Sequence, residues 1–143
     1  MKSLVRKLNN ALGLSIRQKK LIITIFWLSI YRNLLLFKGS KVGFTEYIYK
    51  TQDSNLVLTT DKIGLAKDIA LAISIVNKYL PWKNVCRHQS WQAVYLFLRY
   101  DIPFTYSVGI HKTKKIKEGH SWVKVNGRFV CGRCNENEYI VVL

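Results

Sequence analysis

The apolar positions change period twice along this chain. Residues 3 to 37 recur at helical spacing, with a weak interruption around Gly13-Leu14-Ser15 and a glycine stop at Lys38-Gly39-Ser40. Between Val42 and Leu58 the pattern fades, because the polar patch Thr51 to Asn55 divides two short β-like runs. From Thr59-Thr60-Asp61, a hydroxyl cap with an acid in the first turn, Ile63, Ala66, Ile69, Ala70, Ile73, Val76 and Leu80 form an apolar stripe. Pro81-Trp82 ends that helix. A further helix follows with Ala93, Leu96, Phe97 and Tyr100 as its core side and Asn84 as the expected N-cap.

After Asp101-Ile102-Pro103 the period falls to two. Phe104, Tyr106, Val108 and Ile110 alternate with Thr105, Ser107 and Gly109, which predicts a strand. A lysine-rich loop spans His111 to Gly119. His120 to Val125 then predicts a strand, Asn126-Gly127 a tight hairpin turn, Arg128 to Cys131 the returning strand and Tyr139 to Leu143 a last one. Helices followed by an antiparallel sheet make an α+β fold. The expected organisation is one domain over 1–143: a helical segment and linker over 1–58, then a core over 59–143.

Composition narrows the setting. Lys and Arg number 23 against 8 Asp and Glu, a net charge of +15. That suits an anionic partner, or a plain solvated surface. No zinc-finger, RNA-recognition or helix-turn-helix signature accompanies the charge, so no nucleic-acid partner is expected. Three cysteines without a cleavable signal sequence fit a reducing cytoplasm. The apolar run Leu21 to Ile30 falls short of the roughly 20 residues that span a bilayer. It reads as a buried helix, with an interfacial helix on a membrane surface as the minor alternative.

Candidate chemistry centres on Cys86, in the first turn of its helix, where free N–H groups and the helix dipole favour a thiolate. His120, on a strand, supplies a candidate base. A structural cysteine and an unrelated strand histidine would give the same spacing. His88, two residues on, points away from the sulfur, and His111 is expected at the surface. Cys131-Gly132-Arg133-Cys134 has CxxC spacing, but no helix follows it and no second pair exists for zinc, so incidental thiols are expected.

The run Leu80-Pro81-Trp82, Cys86, Ala93, Leu98-Arg99-Tyr100-Asp101-Ile102-Pro103, Val108-Gly109-Ile110 and His120-Ser121-Trp122-Val123-Lys124-Val125-Asn126-Gly127-Arg128 resembles the transglutaminase-like leader peptidases of lasso peptide biosynthesis, in order and spacing over residues 60 to 143. The resemblance implies a papain-like cysteine peptidase on a transglutaminase-type fold, without a cofactor. It would remove the leader from a lasso precursor peptide presented by a separate leader-recognition protein, before an ATP-dependent cyclase closes the ring. Cys86 would be nucleophile and His120 base and acid. The family commonly carries an acid twelve residues after the histidine, and here that position is Gly132. Asn135 is the expected substitute, Glu118 the alternative, and an acid restored at Gly132 is expected to preserve or raise activity if Gly132 faces His120 across the hairpin. The rival readings are a basic binding or scaffold protein with a structural cysteine, and an acyl-transferring enzyme.

Overall fold

The computed structural model describes residues 13–37, 57–113 and 119–142. Most of the expected linker, and the residues before Gly13, lie outside them. Helix α1 spans Ile16–Phe37, α2 Thr60–Tyr79 and α3 Cys86–Arg99; the strands are β1 Thr105–His111, β2 Gly119–Val125, β3 Arg128–Cys131 and β4 Tyr139–Val141. A single 3₁₀ turn, Glu136–Glu138, precedes β4.

Local chemistry sets the boundaries. Ser15 and Gln18 form a reciprocal cap at the start of α1: the Gln18 N–H donates to Ser15 Oγ at 3.2 Å, and the Ser15 N–H donates to Gln18 Oε1 at 3.0 Å. Thr59 caps α2 by accepting from the Lys62 N–H at 3.3 Å. The turn between β2 and β3 has positive φ at both Asn126 and Gly127, the geometry that matches the twist of a hairpin.

Asn84 does not cap α3. The helix begins one residue later, with Val85 as N-cap, and its carbonyl accepts from the His88 and Gln89 N–H groups at 2.8 and 3.1 Å. Asn84 instead turns into the interior, where its Nδ2 donates to Gln92 Oε1 at 3.4 Å and its carbonyl accepts from Gln89 Nε2 at 2.8 Å. Tyr100 also departs from expectation. As the C-cap of α3 it has left the core stripe and is exposed.

The sheet is antiparallel with strand order β3-β2-β1-β4. In β1 and β2, Thr105 pairs with Lys124 and Gly109 with His120, so the pairing runs the whole length of both strands. A register shift at Val123/Lys124 lets Cys131 sit opposite Val123. Ile69, Ile73, Val76, Ala93, Leu96, Phe97, Tyr106 and Val123 form one buried cluster between the helices and one face of the sheet. Helix α1 joins that cluster through buried Leu21 and Ile25, with half-buried Ile22 and Leu28 packed against it and Ser29 buried beside them. The buried-helix expectation for Leu21 to Ile30 therefore holds for one side of the helix; Ile23, Phe26 and Trp27 are exposed.

Phe97 is fully buried and its ring lies 5.7 Å from that of Phe104, bridging α3 to the sheet. Phe97→Ala is expected to cost roughly 3–5 kcal/mol, since the cavity left between a helix and a sheet closes poorly. Urea denaturation of the variant checks this.

Candidate active site

Cys86 is the first residue of α3 and half-buried. One turn further on, Ser90 is completely buried, and its hydroxyl lies 3.1 Å from that of Ser121 on β2 and 3.8 Å from the Cys131 sulfur on β3. Residues four apart share a helix face. Cys86 therefore heads the stripe whose next member is tied to the start of β2. It also lies near enough to Cys131 and Tyr106 for its charge to act on both.

His120 is the second residue of β2, next to Ser121. Alternation along the strand sends Ser121, Val123 and Val125 towards the helices and His120 and Trp122 to the other face. On that face the imidazole stacks on Trp122, with centroids 6.1 Å apart, and lies 5.5 Å from the Tyr139 ring. Gly109 makes this box of rings possible. A Cβ there would come within 2.9 Å of both Trp122 and Tyr139.

His120 Nε2 lies 2.8 Å from the carbonyl oxygen of Gly132. A carbonyl can only accept, so Nε2–H donates to it, and in the neutral ring Nδ1 then keeps its lone pair. The ring is thus held in the tautomer a general base needs. The orienting group is a main-chain atom of the residue at which the lasso leader peptidases commonly place an acid.

Gly132 is needed for that contact. Its φ is +68°, and an added Cβ would fall 2.1 Å from the Ser121 carbonyl oxygen. An acid at Gly132 is therefore not tolerated in this backbone, contrary to expectation. Asn135 does not reach the imidazole. Its side-chain Oδ1 caps the 3₁₀ turn by accepting from the Asn137 N–H at 3.4 Å, and its Nδ2 donates to Glu138 Oε1 at 3.0 Å. Glu118 lies outside the described residues.

Cys86 heads the α3 face that Ser90 ties to β2 at Ser121, while His120 stands one residue earlier on the opposite face of that strand, and no hydrogen bond joins the two. Such pairs commonly tighten only when substrate binds. Gly119 precedes His120 on the α3 side of the strand, and a Cβ there would meet nothing within 4 Å. The start of β2 is open at Gly119.

The other candidates are held apart from this chemistry. His111 accepts from the Thr113 N–H at 3.3 Å and faces Glu138 at 3.6 Å, on the far side of Tyr139. Burial, with the charges of Arg32 and Arg87, pulls the His88 pKa down to about 4. Burial pushes the Cys131 thiol up to about 11, against the hydrogen bond from Ser90. Cys134 is also raised, by partial burial and by Glu136 and Glu138. All three cysteines are free, and no group of three His, Cys, Asp or Glu side chains gathers around a common point among the described residues. Sequence reasoning missed Ser90 and Ser121. Their only signal was position: Ser90 four residues after the cysteine and Ser121 one after the histidine.

Residues 48–143, two thirds of the chain, match the transglutaminase-like superfamily. The chain belongs to that superfamily. No curated protein matches it, and no solved structure does. Three helices followed by a four-stranded antiparallel sheet are the α+β form of a transglutaminase-like domain. The superfamily is typically enzymatic and includes cysteine peptidases and acyl transferases. In this transglutaminase-like protein the matched region holds both Cys86 and His120, and α1 precedes it.

Two outcomes follow from the geometry. Gly132→Ala is expected to lose at least ~2 kcal/mol of stability, because a side chain at positive φ also strikes backbone. It should also release the His120 tautomer, which ¹⁵N chemical shifts of the ring report. His88 gives the second outcome. With its folded value below the ordinary one, neutral His88 contributes stability that is complete above about pH 6.5 and is lost as pH falls towards about 4. His88→Gln should flatten the melting temperature over that window.

Proposed function

We propose that this protein is a cysteine peptidase that removes the leader from a ribosomally made lasso precursor peptide. The observation that carries the reading is the Nε2 contact of His120 to Gly132, which leaves Nδ1 of the neutral ring as a base, on the strand whose next residue, Ser121, is tied to the Cys86 helix through Ser90. The resemblance of the Leu80 to Arg128 progression to leader peptidases supplies the substrate class.

In this scheme the Cys86 thiol gives its proton to His120 Nδ1 as the sulfur attacks the carbonyl carbon of the scissile peptide. The oxyanion so formed is met by the Cys86 backbone N–H, one of the first amides of a helix, which have no intrahelical acceptor. The imidazolium then protonates the departing amine, and the C–N bond breaks to leave a thioester. Water, deprotonated by the same imidazole, opens the thioester and frees Cys86. Gly132 holds the ring but brings no charge, so that contact gives the imidazolium none of the electrostatic support of a carboxylate. The cytoplasm is the proposed site of action. A separate leader-recognition protein would present the precursor and an ATP-dependent cyclase would take the product.

The test combines cleavage with labelling. The chain is incubated with the precursor and leader-recognition protein encoded beside its gene, and products are weighed by mass spectrometry. Cys86→Ala and His120→Ala should each abolish release of the leader while the fold is kept. Iodoacetamide at neutral pH should modify Cys86 well before Cys134, and Cys131 last, since burial holds that thiol protonated. Cleavage by a folded Cys86→Ala protein, or labelling of Cys134 ahead of Cys86, would overturn the proposal. Transfer of the acyl group to an added amine, in place of hydrolysis, would assign the protein to the acyl transferases.

A further inference from the structure

Helix α1 has two dissimilar sides. Leu21, Ile25 and Ser29 face inward, where Ser29 Oγ accepts from Trp82 Nε1 at 2.9 Å. Arg17 pairs with Asp68 on α2, and Gln18 Nε2 donates to the same carboxylate at 2.8 Å. The outward side carries Ile16, Ile23, Phe26, Trp27, Tyr31, Leu34 and Phe37, spaced three, four or seven apart with Phe26 and Trp27 adjacent, and Trp27 is 62% and Phe37 95% exposed. A monomeric soluble protein rarely leaves so long an apolar stripe uncovered.

Charge indicates what covers it. The stripe is interrupted once, by exposed Lys19 and Lys20, and α1 contains no acid. Across the first 45 residues there are nine Lys and Arg and no Asp or Glu; the first acid is Glu46. A second copy of the chain would bring +15 against +15, with no carboxylate on α1 to pair with either lysine. An anionic surface meets the same face with complementary charge, and Trp27 and Tyr31 are the ring types favoured at a lipid–water boundary.

We infer that α1 lies flat on an anionic lipid bilayer, its outward stripe sunk to the acyl boundary and Lys19 and Lys20 on the headgroups. The helix has the length and apolar composition to cross a membrane, at about 33 Å. Crossing would, however, strip Leu21, Ile25 and the Arg17–Asp68 pair from α2. That helix cannot follow, since it carries Asp61, Lys62, Lys67, Asp68 and Lys78. The docked fold keeps all of these contacts, and the inference stands apart from the peptidase reading.

Co-sedimentation of the full chain with vesicles tests it. Vesicles of phosphatidylcholine alone are compared with an equimolar mixture of phosphatidylcholine and phosphatidylglycerol. Binding to the mixture should be at least roughly tenfold tighter, and the preference should shrink as salt rises. The triple variant Ile23→Ser, Trp27→Ser, Leu34→Ser alters only exposed positions and should lose binding with its melting temperature unchanged. Should that variant misfold, Lys19→Glu with Lys20→Glu carries the test, and should remove the preference for the anionic mixture. Equal binding to both vesicles, undiminished binding by either folded variant, or a wild-type dimer that ignores vesicles and becomes monomeric in the triple variant would each overturn the inference.

Discussion

The hydroxyl pair Ser90–Ser121 joins the two halves of this fold at the point where chemistry is expected. Both residues are buried, and both stand one step from a candidate catalytic residue: Ser90 a turn after Cys86, Ser121 beside His120. A buried hydroxyl hydrogen bond contributes only about 1 kcal/mol net, but leaving either partner unmatched costs ~1–3 kcal/mol. Its value is therefore positional. Sliding α3 along the sheet by one residue would orphan two hydroxyls and pull Ser90 from the Cys131 sulfur. Tyr106, hydrogen-bonded to Ser121, extends the same network onto β1.

The outer face of the sheet solves a different problem. No described helix covers it there, yet Trp122 is 1% exposed. The 3₁₀ turn and the start of β4 form the cover. Trp122 Nε1 donates to Glu136 Oε1 at 2.8 Å, Lys124 pairs with the other Glu136 oxygen, and Tyr139 closes over both aromatic neighbours. Lys124 and the Trp122 hydrogen bond draw the Glu136 carboxyl below its ordinary range. Glu136 is thus engaged by the indole and the lysine. Among the described residues, the imidazole meets aromatic walls and a neutral carbonyl.

Much of the fold was legible because period and punctuation are local. The stripe from Ile63 to Val76, the alternation from Phe104 to Ile110 and the Asn126-Gly127 turn each predict an element that the structure contains. Asn84 failed as a cap because cap preference cannot settle a helix start to one residue, and a buried Gln92 offered its amide a better partner. The outer face of α1 failed for another reason. Apolar residues on every side of a helix imply burial on every side, and only packing reveals that α2 and α3 cover one of them. Of the site, Cys86 and His120 were visible as residue types in a familiar progression. The group that orients His120 was not, because a main-chain carbonyl has no signature in sequence. Gly132 read as a missing acid, when its lack of a side chain is what lets the chain pass against Ser121.

That substitution has a chemical consequence. A carboxylate beside an imidazole does two jobs: it fixes the tautomer, and it lowers the energy of the imidazolium formed when the thiol gives up its proton. The Gly132 carbonyl does the first by geometry and the second only through its dipole. In the proposed peptidase, the ion pair of thiolate and imidazolium would draw support from elsewhere. The first turn of α3 supplies it on the sulfur side, where free amides and the helix dipole favour negative charge. Trp122 supplies some on the ring side, since a cationic imidazole over an aromatic face is attracted to it. Stabilisation is thereby shifted from a third side chain to backbone dipoles and aromatic faces, which are fixed by the same packing that fixes the fold.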